Sequence, residues 1–246
     1  METIGCLRLR TYGSSGRSVI VLHGGPAAVG CAAEIAKGLS DRFRVFEPWQ
    51  RGSGVEPLTV ATHVEDLHTL IQARCGPGRP AIVGESWGAM LALAYAAAHP
   101  TSSVATVLVG CGTFDPIARA ELRKIVAERT SSRTPYDYAP LSSPQREDLG
   151  RPFDQVAQMQ SWEDMVRLQN EGVYPQAFAA IKSPVLMLHG DYDPHPGRLI
   201  RDSLKPYLPQ LEYKQFERCG HSPWIERFAR DDFFAALRNW LEQRFS

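Results

Sequence analysis

The run Gly84-Glu85-Ser86-Trp87-Gly88 places a serine where an apolar segment, Ala81 to Val83, meets an alanine-rich helical segment, Ala89 to Ala98. A serine on so tight a strand-to-helix turn is held in a strained backbone, and the flanking glycines let strand and helix pass each other. Its hydroxyl then stands above the sheet edge, at the positive end of the helix that follows. That is the setting of a nucleophile. A serine hydroxyl attacks a carbonyl only when a base takes its proton, so a histidine must be found.

Seven histidines are available. His63 and His68 fall within the helical pattern Val60 to Arg74, His99 ends a helix beside Pro100, and His195 lies between prolines. His23 and His189 directly follow strand-like runs, where local bonding is the ordinary outcome. His221 differs: in Arg218-Cys219-Gly220-His221-Ser222-Pro223 it occupies a loop, with glycine before it for the turn and a following proline that suits a helix start. It is the candidate general base. An ordinary imidazole there would make ester cleavage fall below about pH 6–7.

An acid must hold the tautomer of that base. His189-Gly190-Asp191-Tyr192-Asp193-Pro194 offers Asp191 and Asp193, and spacing does not separate them. Oxyanion donors are also required. The backbone N–H of Trp87 is one candidate. Gly25 in His23-Gly24-Gly25-Pro26 is the other, since Pro26 has no N–H. Trp49, Trp87, Trp162 and Trp224 are candidates to line an apolar acyl pocket, and Glu85 is a candidate substrate contact beside the nucleophile.

The elements that must position these groups alternate. Val19–Leu22, Arg44–Glu47, Ala81–Val83 and Val104–Val109 read as strands, with helical patterns at Ala32–Leu39, Val60–Arg74 and Ala89–Ala98 between them. Such alternation predicts an α/β fold with a mostly parallel central sheet and helices on both faces. The rhythm stops after Gly112. Residues 113–181 are polar and helical in pieces, with a Ser/Pro/Arg/Asp-rich loop at Ser131–Pro152, and predict a helical cap inserted into the core. It resumes with a strand at Pro184–Leu188, a helix at Arg198–Leu208, a strand at Glu212–Phe216 and a closing helix at Arg227–Phe245. The core is thus expected in residues 1–112 and 182–246.

Composition narrows the classes. The 246 residues carry 27 basic and 27 acidic side chains and are 43% hydrophobic, which fits a globular chain and gives no surface biased toward nucleic acid. The most apolar stretch, Trp87 to Ala98, is shorter than the roughly 20 residues of a membrane span. Five cysteines without a C-x-x-C pair and a start without a basic, apolar leader predict free thiols in the cytoplasm. No metal or cofactor is called for, and a small-molecule substrate is the expected partner.

The order nucleophile, acid, histidine on this scaffold resembles the α/β-hydrolase fold over nearly the whole chain. Within it, His23-Gly24-Gly25-Pro26, Gln50-Arg51-Gly52-Ser53-Gly54 and Ser86-Trp87-Gly88 resemble the proline iminopeptidase group of serine hydrolases. The resemblance implies a catalytic triad of Ser86, Asp193 and His221, because the acid of that group is the aspartate of an H-G-x-x-D run. It departs at Ala27, where glycine is usual, and at Trp49, where aspartate usually precedes Gln-Arg-Gly. Peptidases of the group hold the substrate's amino terminus with cap carboxylates, for which Glu163, Asp164 and Glu171 lie in the matching region. The expected activity is hydrolysis of a small ester or amide, as a carboxylesterase or aminopeptidase. Carbon–carbon-bond hydrolysis, acyl transfer and non-catalytic ligand binding on the same scaffold are the alternatives.

Overall fold

The computed structural model describes residues 1–142 and 153–245. Eight strands form one sheet in the order β1-β2-β4-β3-β5-β6-β7-β8. They span Glu2–Ile4 (β1), Leu7–Tyr12 (β2), Ser18–Leu22 (β3), Arg44–Trp49 (β4), Ala81–Glu85 (β5), Ala105–Val109 (β6), Val185–Gly190 (β7) and Leu211–Phe216 (β8). Strands β3 to β8 run parallel, and β1 and β2 are antiparallel at one edge. Central β5, β6 and β7 are buried along their whole length, as sheets covered on both faces require.

Two cores follow from the period of two along each strand. Val19, Val21, Val83, Val107 and Leu188 pack on one face, under α1 (Ala33–Leu39) and α7 (Arg230–Arg244). Ile20, Leu22, Ile82, Leu108 and Met187 face the other way, under α2 (Val60–Cys75), α3 (Trp87–Ala98) and α6 (Gly197–Leu204). The chain leaves β3 for β4 on one side and returns to β5 on the other. In open α/β sheets, ligands bind in the crevice that such a reversal opens at the strands' carboxyl ends. His23 and Ser86 emerge from those ends.

Between β6 and β7 lie α4 (Pro116–Ser132), α5 (Gln155–Asn170) and a 3₁₀ turn at Gln176–Ala180, with no strand among the described residues there. Asp115 caps α4 by accepting from Ile117 and Ala118 N–H, and Asp154 caps α5 by accepting from Ala157 N–H. Residues 143–152 of the expected loop lie outside the described residues. Several element ends differ from expectation; α6 ends at Leu204 rather than Leu208, and β5 and β7 each run two residues further. β4 extends to Trp49 because its last residues pair with β2, and α7 starts at Arg230 because Pro223–Ile225 closes a separate 3₁₀ turn.

Candidate active site

Ser86 has φ 52 and ψ −115, in the left-handed half of backbone space, directly between β5 and α3. The two glycines around it are compelled by contact. A Cβ on Gly84 would meet Gly88 O at 2.1 Å, and one on Gly88 would meet Leu22 O at 2.3 Å. Ser86 N–H donates to Val109 O (2.8 Å), tying the turn to the end of β6. Its side chain forms no capping bond to α3 and is half-buried.

His221 comes to the end of β6, to which Ser86 is tied, from the loop after β8. Gly110, next to Val109, comes so close that a Cβ on it would lie 3.0 Å from His221 Nδ1 and Cε1. His221 Nδ1–H donates to Asp193 Oδ2 at 2.9 Å. Asp193 is buried and follows β7, while Asp191, two residues earlier, accepts instead from Cys219 N–H. The carboxylate serves further donors: His195 N–H and ring Nδ1–H both reach Oδ1 at 2.9 Å, and His189 Nε2 stands 3.2 Å from Oδ2. Burial alone would raise the Asp193 carboxyl, but the surrounding imidazoles hold it well below the usual carboxylate range. Burial likewise opposes the charged form of His221. The charge and hydrogen bond of Asp193 outweigh it, helped by Glu85 and Asp137, and push His221 up to about 9.

A second set of bonds fixes the His221 loop. Glu226, fully buried, accepts from Gly220, Tyr138 and Ala139 N–H groups, and Asp137 accepts from Ser222 N–H. His221 N–H itself donates to Tyr136 O. The strap 136–139 after α4 and the histidine loop are therefore one hydrogen-bonded unit. Nothing in the local sequence around Glu226 pointed to this role; its strap partners Tyr138 and Ala139 lie more than eighty residues away.

The glycine turn after β3 lies beside Ser86. Gly25 has φ 80, which a side chain would strain, and a Cβ on Gly24 would meet Ser86 Cβ at 2.9 Å. Glu85 is buried and accepts from Gly24 N–H (2.7 Å) and from the Cys31 thiol (2.6 Å). Its carboxylate thus braces the turn rather than standing free beside the nucleophile. Gln50 completes the brace, donating to His23 O and accepting from Trp87 Nε1–H. His23 Nε2 accepts from Gln50 N–H, and burial lowers its pKa to about 4, so it stays neutral.

The tryptophans divide. Trp162 on α5 is 38% exposed and lies 6.0 Å from the Trp87 ring. Trp49 is buried with Arg8 and Arg10 over its ring, and Trp224 is buried against Phe233 in the α7-side core. A cavity of about 580 Å³ opens beside the glycine turn, bounded by Ala27, Val29, Gln50, Arg51 and, from Phe153 to Val156, the lead-in and first residues of α5. α5 docks on the core above it. Asp154 accepts from Ser53 N–H and Oγ–H, Gln160 from Leu58 N–H, Asp164 from Val60 N–H, and His63 bonds Ser161. Glu171 pairs with Arg167.

Asp193, His195 and His221 also form the one cluster among the described residues with three metal-capable atoms within 4.8 Å of one another. Both ring nitrogens already point N–H groups at Asp193, a hydrogen-bonded arrangement rather than a vacant donor set.

Residues 19–237 match the alpha/beta hydrolase family, so the chain belongs to that family and is a hydrolytic enzyme. A proline iminopeptidase of Lactobacillus crispatus strain ST1 is 23% identical over 92% of this chain and 90% of its own length. One from Neisseria gonorrhoeae is 31% identical over 68% of this chain and 61% of its own. Among solved structures, a thermophilic esterase from Thermogutta terrifontis matches with TM-score 0.67 and 21% identity, over 98% of this chain and 94% of that one. The proline iminopeptidase of Mycobacterium smegmatis matches with TM-score 0.66 and 17% identity, over 99% and 98%. No helix among the described residues is long and apolar enough to cross a membrane.

Proposed function

We propose that the protein is a serine hydrolase that cleaves small carboxylic esters through an acyl-enzyme. One observation carries the reading: Ser86 is bonded to Val109 O while the adjoining Gly110 abuts the ring of His221, whose Nδ1 is held by Asp193. Ser86 Oγ attacks the ester carbonyl as His221 Nε2 takes its proton. The N–H groups of Gly25 and Trp87 receive the oxyanion. Collapse expels the alcohol, which takes the proton from His221. Water, deprotonated in turn by His221, then releases the acid and restores Ser86. Asp193 keeps Nδ1 protonated so that Nε2 can act as base. Nucleophile, base, acid and oxyanion donors all come from the chain, so the reaction as written calls for no cofactor. The described helices α4 and α5 between β6 and β7 act as the lid, with Trp162 and the cavity beside Ala27 and Val29 accepting the acyl group.

The names of the iminopeptidase relatives favour a second reading, removal of an amino-terminal residue. Two of the three candidate cap carboxylates are already engaged, which weighs against it: Asp164 accepts from Val60 N–H at the start of α2, and Glu171 is paired with Arg167, while Glu163 stands exposed on α5. A fluorophosphonate reagent should label the wild type and not Ser86→Ala; labelling of the variant overturns the assignment. A panel of acyl p-nitrophenyl esters and prolyl naphthylamides separates the two substrate classes.

A further inference from the structure

Three histidines converge on one buried carboxylate, and a proton relay of this kind needs only one of them. His221 uses Oδ2 of Asp193. Oδ1 is taken by His195, through both its backbone N–H and its ring Nδ1–H, each at 2.9 Å. The two imidazoles also stack, with ring centres 4.7 Å apart and planes inclined by 21°. His189 backs the arrangement from β7: its Nε2 lies 3.0 Å from His195 O and 3.2 Å from Asp193 Oδ2. We propose that His195 is a positioning residue for the acid–base pair, fixing the plane of Asp193 through Oδ1 and drawing off part of the carboxylate charge that His221 would otherwise receive alone.

The physical reason lies in how a carboxylate divides its charge. Asp193 is an acceptor with two oxygens and no exposed surface on its side chain. Each N–H bonded to Oδ1 stabilises the anion and lessens its pull on the proton at His221. The backbone N–H of His195 would remain whatever side chain stood there. The ring Nδ1–H is the contribution particular to this residue. The groups that face the cluster are His189 of β7, Tyr213 of β8 near His189, the buried Cys111 thiol after β6, the Cys219 thiol of the histidine loop, the Tyr136 ring edge-on to His221, and His221 itself, with Asp137 and Glu85 acting on His221 from the strap and from β5.

The two features of His195 separate by substitution. His195→Asn keeps an N–H donor near the position of Nδ1 but removes the stacked ring. His195→Phe keeps a ring and removes the donor, and His195→Ala removes both. The readout is the titration of His221, followed in histidine side-chain 1H–15N spectra over about pH 5 to 10. In His195→Phe and His195→Ala the midpoint should rise by about 0.5–1 pH unit, with His195→Asn within about 0.2 unit of wild type. Coincidence of the Phe and wild-type curves, or an Asn shift as large as the Phe shift, overturns the proposal. The mechanistic consequence rests on the hydrolase reading above: the acid limb of kcat/KM on p-nitrophenyl acetate should move with the His221 midpoint. Fluorophosphonate labelling of Ser86 in all four proteins tests that reading separately, since the titration needs no turnover.

Discussion

His221 donates to Asp193 across 2.9 Å although the two residues stand 28 positions apart, one after β7 and the other after β8. The pair has a consequence for pH. A base must be neutral to act, and the carboxylate pushes His221 up to about 9. Ester turnover should therefore keep rising through pH 7 and 8, with its acid limb above the roughly 6.5 of an ordinary histidine. An ordinary imidazole gives the limb near pH 6–7 expected from sequence; the neighbouring charge moves the expected limb upward. Asp193→Asn should move the limb down toward the ordinary value and lower kcat by about 10³–10⁴-fold. A kcat/KM profile flat from pH 7 to 9 in the wild type would remove this pair from the rate.

Ser86 sits at φ 52, a conformation that costs a residue with a Cβ on the order of 1 kcal/mol or more. Ser86→Gly should lose turnover by roughly 10⁴-fold or more while gaining about 1 kcal/mol of stability. A thermal melt would show that gain as roughly 2–4 °C. An unchanged or lower melting temperature would mean the turn carries no strain.

Gly88 admits Leu22 O to the space where a side chain would begin. Gly88→Ala must push strand and helix apart, at a cost of about 3 kcal/mol, seen as a melting temperature lower by roughly 6–12 °C. A melt within a degree of wild type would contradict the contact.

Glu85 holds Gly24 N–H at 2.7 Å and so sets where Gly25 stands. Glu85→Leu should lower kcat by about 10–100-fold with little change in KM, as expected when an oxyanion donor is misplaced. Glu85→Gln keeps an acceptor oxygen and should lose less. If KM rises and kcat holds, Glu85 contacts the substrate instead.

Asp154 both caps α5 and ties it to Ser53. Asp154→Ala should destabilise the protein by about 1 kcal/mol and raise KM for longer acyl esters, because the start of α5 walls the cavity. Urea denaturation and a chain-length series check the two effects.

What the sequence determined by itself is local. The turn at Ser86 was legible because strand, glycines and helix lie within a few residues, where steric demands act directly. The alternation of β3 to β8 with helices was legible for the same reason, since parallel strands buried on both faces must be apolar throughout. β1 and β2 were not, because an edge pair exposed on one side carries polar residues such as Arg8 and Arg10 and shows no long apolar run. Spacing left Asp191 and Asp193 open and the resemblance pointed to Asp193; the tertiary structure adds which partner the far loop brings to each, Cys219 N–H for the first and His221 for the second. It also decided the fate of the side chains that composition leaves open. Trp224 went to the core, Glu85 to the glycine turn, and His195 and Glu226 to the surroundings of the histidine. Each of those outcomes depends on groups distant in the chain, and no local pattern encodes a distance of that kind.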